Sequence, residues 1–71
     1  PNPTTDKLTI RLEGLETVPA QVELMDAFGR VMLRSTMNQE LTLDVSNIAP
    51  GMYVLMVKQG DVRLERKVLV E

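Results

Sequence analysis

Residues 20–34 read Ala20-Gln21-Val22-Glu23-Leu24-Met25-Asp26-Ala27-Phe28-Gly29-Arg30-Val31-Met32-Leu33-Arg34, and this stretch decides the fold. Val22 and Leu24 alternate with Gln21, Glu23 and the less polar Met25, while Val31 and Leu33 sit between Arg30, Met32 and Arg34. Apolar residues at every second position give two strands, each with one face in a core and the other towards water. Between them, Asp26-Ala27-Phe28-Gly29 reads as a type I turn closed by Gly29 in the left-handed conformation. That is the usual three-residue hairpin loop with a G1 bulge.

The same period recurs in both directions from this hairpin. Leu8, Ile10 and Leu12 alternate with Lys7, Thr9, Arg11 and Glu13, and Leu41, Leu43 and Val45 alternate with Glu40, Thr42 and Asp44. Gln59-Gly60-Asp61 lies between two apolar runs and predicts a second tight hairpin. Ser46-Asn47-Ile48-Ala49-Pro50-Gly51 reads as a longer corner, and Thr17-Val18-Pro19 breaks the chain between its first two strands. No segment keeps helical spacing over three turns. The pattern predicts an all-β domain over residues 1–71, a small antiparallel β-sandwich of about six to seven short strands.

Two places depart from simple alternation. Met52-Tyr53-Val54-Leu55-Met56-Val57 is apolar on both faces, which predicts a central strand or one whose outer face is covered. In the last run Val62, Leu64, Val68 and Val70 share a phase, and Arg66 falls in it too. An unpaired charge in so small a core would cost several kcal/mol. The segment around Arg66 is therefore expected to bulge, to switch sheets or to lie at an edge.

Composition removes most chemistry. The 71 residues include no Cys, His or Trp, and 44% are hydrophobic. Zinc fingers, thiol chemistry, Ser-His-Asp triads and haem ligation are thereby ruled out, and neither cofactor nor metal is expected. A domain of this size hides only about 60% of its unfolded surface, so its core is marginal. The net charge is -2, and the aromatics are Phe28 and Tyr53 alone, which argues against a nucleic-acid partner. No run approaches the roughly 18 apolar residues of a membrane helix, so membrane insertion is not expected.

The remaining candidates for chemistry are carboxylates. Glu13 and Glu16 flank Gly14-Leu15, and Asp44 and Asp61 stand at strand ends. Nothing in their spacing makes a pair converge, and a catalytic carboxylic acid needs a desolvating cleft that a thin sandwich does not provide. Calcium through Asp26, Asp44 or Asp61 lacks the spacing of an EF-hand loop. The glycines, at positions 14, 29, 51 and 60, are dispersed one per turn and build no phosphate cradle. No enzyme is expected. Met25, Met32, Met52 and Met56 all lie off the main apolar phase. They form an outer patch at a binding face or cover the second face of a curled sheet. The edges are lightly guarded, by Lys7, Arg11, Arg63 and Lys67, so a homodimer through edge strands is expected.

Several short motifs follow one another in a recognisable order. The chain opens Pro1-Asn2-Pro3-Thr4 and enters the Lys7–Glu13 strand. Its middle carries Val22-Glu23-Leu24-Met25-Asp26-Ala27-Phe28-Gly29-Arg30-Val31. Its last third carries Ile48-Ala49-Pro50-Gly51-Met52-Tyr53-Val54-Leu55, and it closes Arg66-Lys67-Val68-Leu69-Val70-Glu71. This order resembles the type A C-terminal sorting domain of the type IX secretion system, the Por secretion tail family of Bacteroidetes.

The resemblance implies an immunoglobulin-like sandwich at the C-terminus of a larger secreted protein. The cargo would transit the periplasm and reach the cell surface or the medium, with an outer-membrane translocon and its shuttle proteins as partners. A cysteine-protease sortase would usually cut upstream of the domain and attach the cargo to an anionic lipopolysaccharide. By the same resemblance, Pro1, Asn2 and Pro3 match the opening motif, Gly29 the hairpin glycine, and Gly51 and Tyr53 the corner motif. Lys67, Val68, Leu69, Val70 and Glu71 match the terminal signal bound by the translocon. On this reading, deleting Val68–Glu71 is expected to leave an upstream reporter trapped in the periplasm while the remaining domain still folds. A start at Pro1, without Met, fits a fragment of a longer chain. The alternative is a non-catalytic β-sandwich module for adhesion or carbohydrate binding, for which two aromatics make a poor platform.

Overall fold

A computed structural model describes residues 6–11 and 19–71. Six strands, β1 (Lys7–Arg11), β2 (Ala20–Met25), β3 (Val31–Met37), β4 (Glu40–Asp44), β5 (Gly51–Gln59) and β6 (Val62–Val70), make up its regular structure. They form two antiparallel sheets, β1-β4 and β3-β2-β5-β6. The predicted sandwich is thus present, with six strands among the described residues. Leu12, Glu13, Gly14, Leu15, Glu16, Thr17 and Val18 lie outside the described residues, as do Pro1, Asn2 and Pro3.

The core is the facing set of alternate residues. Leu8, Ile10 and Leu43 come from the small sheet. Val22, Leu24, Tyr53, Leu55, Val57, Val68 and Val70 come from the large one, and Val45 just after β4 joins them. Leu24 and Leu55 are directly opposite on neighbouring strands, as are Val22 and Val57. Ala20 stands opposite Met37, both buried; a small residue beside a long one fills the layer without a void.

The outer face of the small sheet is built from matched pairs. Lys7 faces Asp44, Thr9 faces Thr42 and Arg11 faces Glu40. The side chains meet at 3.6, 3.1 and 3.2 Å respectively. Exposed pairs of this kind add little stability, but a one-residue slip would break all three and turn Leu8 and Ile10 outwards, so they fix register.

Both irregular stretches resolve. β5 lies between β2 and β6, which accounts for its apolar residues on both faces: Tyr53, Leu55 and Val57 inside, Met52, Val54 and Met56 outside. β6 is the end strand of the order in the large sheet, and its pairing to β5 runs without a register shift. Arg66 does lie opposite Leu55 in the inward phase, yet it is exposed. Its Nη1 donates to the Glu65 carbonyl at 2.8 Å, so the guanidinium turns back along its own strand and avoids the core. Val62 and Leu64, in the same phase, are exposed too.

One expectation needs correction. Alternation put Val31 and Leu33 on one face. A register shift between Leu24 and Met25 pairs Leu24 with Leu33 but Met25 with Val31, leaving Met32 as the extra residue. The bulge moves Val31 to the outer face while Leu33 stays against the core.

Candidate recognition surface

The β2–β3 hairpin is organised by one side chain. Asp26 accepts N–H bonds on Oδ1 from Phe28 and Arg30, both at 2.9 Å, and its Oδ2 accepts Arg30 Nε–H at 2.7 Å. The main chain closes the same loop: Gly29 N–H donates to the Asp26 carbonyl, and Asp26 N–H donates to the Arg30 carbonyl. Gly29 has φ of 84°, the left-handed value expected of the closing glycine, where a Cβ would be strained. The Arg30 N–H bond, reinforced by the guanidinium and by the Phe28 amide, holds the Asp26 carboxyl below its ordinary value of 3.8 despite partial burial. Asp26 is therefore a turn organiser. Asp44 is similarly occupied: its Oδ1 accepts the Ser46 hydroxyl at 2.6 Å and the Ser46 N–H at 3.0 Å. The Ser46 hydroxyl, then its amide, then Lys7 lower the Asp44 pKa too.

These depressed values predict acid sensitivity with a definite sign. The folded carboxyls titrate below the unfolded ones, so their stabilisation is complete above the ordinary carboxylate range. It is lost as pH falls from about 3.8 through the lower folded values. Thermal melts should therefore show a falling Tm below pH 4, and Asp26→Asn should reduce the difference between the melts at neutral and acid pH. An unchanged acid limb in the variant would refute the assignment.

The terminal segment divides by face. Val68 and Val70 are 3% and 2% exposed and belong to the core, whereas Lys67 and Glu71 are exposed and Leu69 is half-buried. Lys67 lies opposite Val54, and Leu69 opposite Met52, on the outer face of the large sheet. Removing Val68–Glu71 therefore takes out two core side chains, which argues against the expectation that the rest still folds.

Tyr53 lies in the core and its hydroxyl donates to the Ala49 carbonyl, tying β5 to the corner before it. Ile48 N–H donates to the Val45 carbonyl within the same corner, and Gly51 opens β5 opposite Val70. The second hairpin turns at Gly60-Asp61, with φ of 57° at Gly60 and a negative φ at Asp61. That is the pattern of a type II′ turn.

Met25, Met52 and Met56 share the outer face of the large sheet with Val54 and Leu69, and Met32 stands at the bulge. This places three of the four off-phase methionines, Met25, Met52 and Met56, on the outer side of the large sheet. Phe28 is 87% exposed at the hairpin tip, with the Arg30 guanidinium carbon 6.0 Å from its ring centroid. The sequence reading missed that exposure; the available signal was Asp26 four residues before Arg30, a spacing that clamps the loop and holds the ring out. The polar depression of about 530 Å³ lined by Gln21, Glu23, Arg34, Ser35 and Thr36 contains the Glu23–Arg34 ion pair at 3.1 Å. Its one carboxylate already has a partner.

The family model described as the secretion system C-terminal sorting domain matches residues 1–71. No curated protein and no solved structure matches the chain.

Proposed function

Because the chain belongs to the family of secretion system C-terminal sorting domains, the sorting signals of type IX secretion, we propose that it is read by the outer-membrane translocon through the outward side of its last strand. Membership implies contact with the secretion machinery and export to the cell surface or the medium. The domain serves as an address label at the C-terminus of a larger cargo, transits the periplasm folded, and passes to the translocon and its shuttle proteins. A sortase cuts upstream and attaches the cargo to the surface. Lys67, Leu69 and Glu71 carry recognition, and Val68 and Val70 hold the strand that presents them. A homodimer through edge strand β3 or β6 belongs to the same proposal, and sedimentation at high concentration tests it.

The observation that supports this reading is the match over residues 1–71, which no partial motif would give. The division of the last strand into inward valines and outward Lys67 and Leu69, with exposed Glu71 just beyond it, adds a physical route. A reporter fused upstream of the domain provides the test. Replacing Lys67 by Glu and Leu69 by Ser together should leave the core valines in place and the melt cooperative. Surface display should fall about tenfold or more, as for loss of interface hot spots, with reporter accumulating in the periplasm. Undiminished display by the folded double variant would sink the proposal.

A further inference from the structure

The geometry points to Phe28 as an aromatic anchor that inserts into an apolar cleft, rimmed by a carboxylate, on the component of the secretion machinery that receives the domain. This rests on the sorting function proposed above and adds a second contact, on a different hairpin from the terminal strand.

Three observations carry it. First, the chain has two aromatics; Tyr53 is core, while Phe28 is 87% exposed. Second, the ring is already positioned. Asp26 fixes the amides of Phe28 and Arg30, and main-chain bonds at Asp26 and Gly29 close the loop. A ring with two side-chain torsions on an ordered loop loses little freedom when it is buried by a partner. Third, its surroundings have the composition of an interface centre. Four of the six exposed large hydrophobics among the described residues are Phe28, Val31, Met32 and Met52. Pairing of Met25 with both Val31 and Val54 puts Met52, two residues nearer the start of β5, level with the hairpin tip. Aromatic, Met and Arg side chains are the types enriched in such patches.

Charge specifies the partner. Arg30 is bound to Asp26 through Nε, its side chain is 73% exposed, and it lies beside the Phe28 ring. Its two terminal amino groups make no hydrogen bond to the described residues. They offer a planar donor pair to a carboxylate at the cleft rim. Ring and guanidinium together thus call for an apolar cleft with an acidic edge on a protein.

The test compares the reporter fusion carrying the wild-type domain, Phe28→Ala, Phe28→Trp and the Lys67→Glu/Leu69→Ser pair. Binding is measured to the detergent-solubilised secretion complex, and export of each fusion is followed in cells. Phe28→Ala should bind about tenfold more weakly, the size expected for an anchor residue, and be exported less. Phe28→Trp should retain binding, and both should melt at the wild-type temperature. Wild-type binding by Phe28→Ala overturns the anchor. If the terminal-strand pair still fails to export in that case, the sorting function stands without it; if that pair is also exported normally, the sorting proposal falls with it. A lowered melting temperature for Phe28→Ala would make the ring part of the fold and also overturn the inference. So would Phe28-dependent binding of the free domain to vesicles of anionic phospholipid, which would assign the ring to a membrane instead.

Discussion

Deleting Val68–Glu71 is expected to unfold the domain at room temperature, with loss of a cooperative thermal transition. The magnitude follows from what the four residues do. Val68 and Val70 are buried against the small sheet, and burial of a valine contributes about 1.5–3 kcal/mol. The deletion also removes the pairing of Val68 with Tyr53, Leu69 with Met52 and Val70 with Gly51, uncovering the start of β5. Total stability for a chain of this length is about 4–10 kcal/mol, so the loss consumes most or all of it. Circular dichroism on the purified deletion would show a flat melt. A cooperative transition within about 5 °C of wild type, equivalent to about 1 kcal/mol in a domain this small, would refute the account.

The consequence reaches the function. A truncated cargo trapped in the periplasm would show equally well a lost signal or an unfolded domain. Only changes on the outward side of β6, which leave Val68 and Val70 in place, separate the two. Lys67 and Leu69 are on that side, and the core is not built from them. The alternation of a single strand thus combines a structural half and a presenting half in the same few residues.

Much of this was legible beforehand, and the reasons differ from element to element. The Asp26–Gly29 turn could be read because an Asp at its start and a Gly at its end each answer a specific backbone need. The doubly apolar β5 and the misplaced Arg66 were legible as conflicts, and the strand order resolves both, one strand interior and one at the end. Strand order itself could not be read, because alternation tells which face is buried and not which strand is adjacent. The bulge at Met32 escaped for a related reason: a reading with a fixed period of two cannot register one extra residue, and Val31 was therefore assigned to the wrong face. Val62 and Leu64 share the inward phase and are nevertheless exposed, because alternation along one strand does not tell what packs against it. In the candidate surface, Lys67–Glu71 came from family resemblance. Phe28 was hidden because a lone aromatic in a turn has no period to place it.

Replacing Tyr53 by Ala is the second large effect, expected to lower the melting temperature by about 12–40 °C. Removing a buried aromatic ring costs about 3–5 kcal/mol, and in a domain of this size each kcal/mol shifts Tm by about 4–8 °C. The ring packs in the core from β5, an inner strand of the large sheet, and the hydroxyl holds the Ala49 carbonyl. Tyr53→Phe separates these two contributions. It keeps the ring and loses one hydrogen bond, worth about 1 kcal/mol, because the exposed corner at Ala49 lets water replace the lost donor. A small drop for Phe and a large one for Ala would assign the Gly51-Met52-Tyr53 motif to packing and corner closure. Equal drops would place the whole effect in the hydroxyl and contradict it. Tyr53 is buried, so Tyr53→Phe should also be exported like wild type, while the Lys67→Glu/Leu69→Ser pair melts normally and its display falls about tenfold or more. Stability and recognition would then be carried by different residues of one β5–β6 hairpin, the inward ring on β5 and the outward side chains on β6.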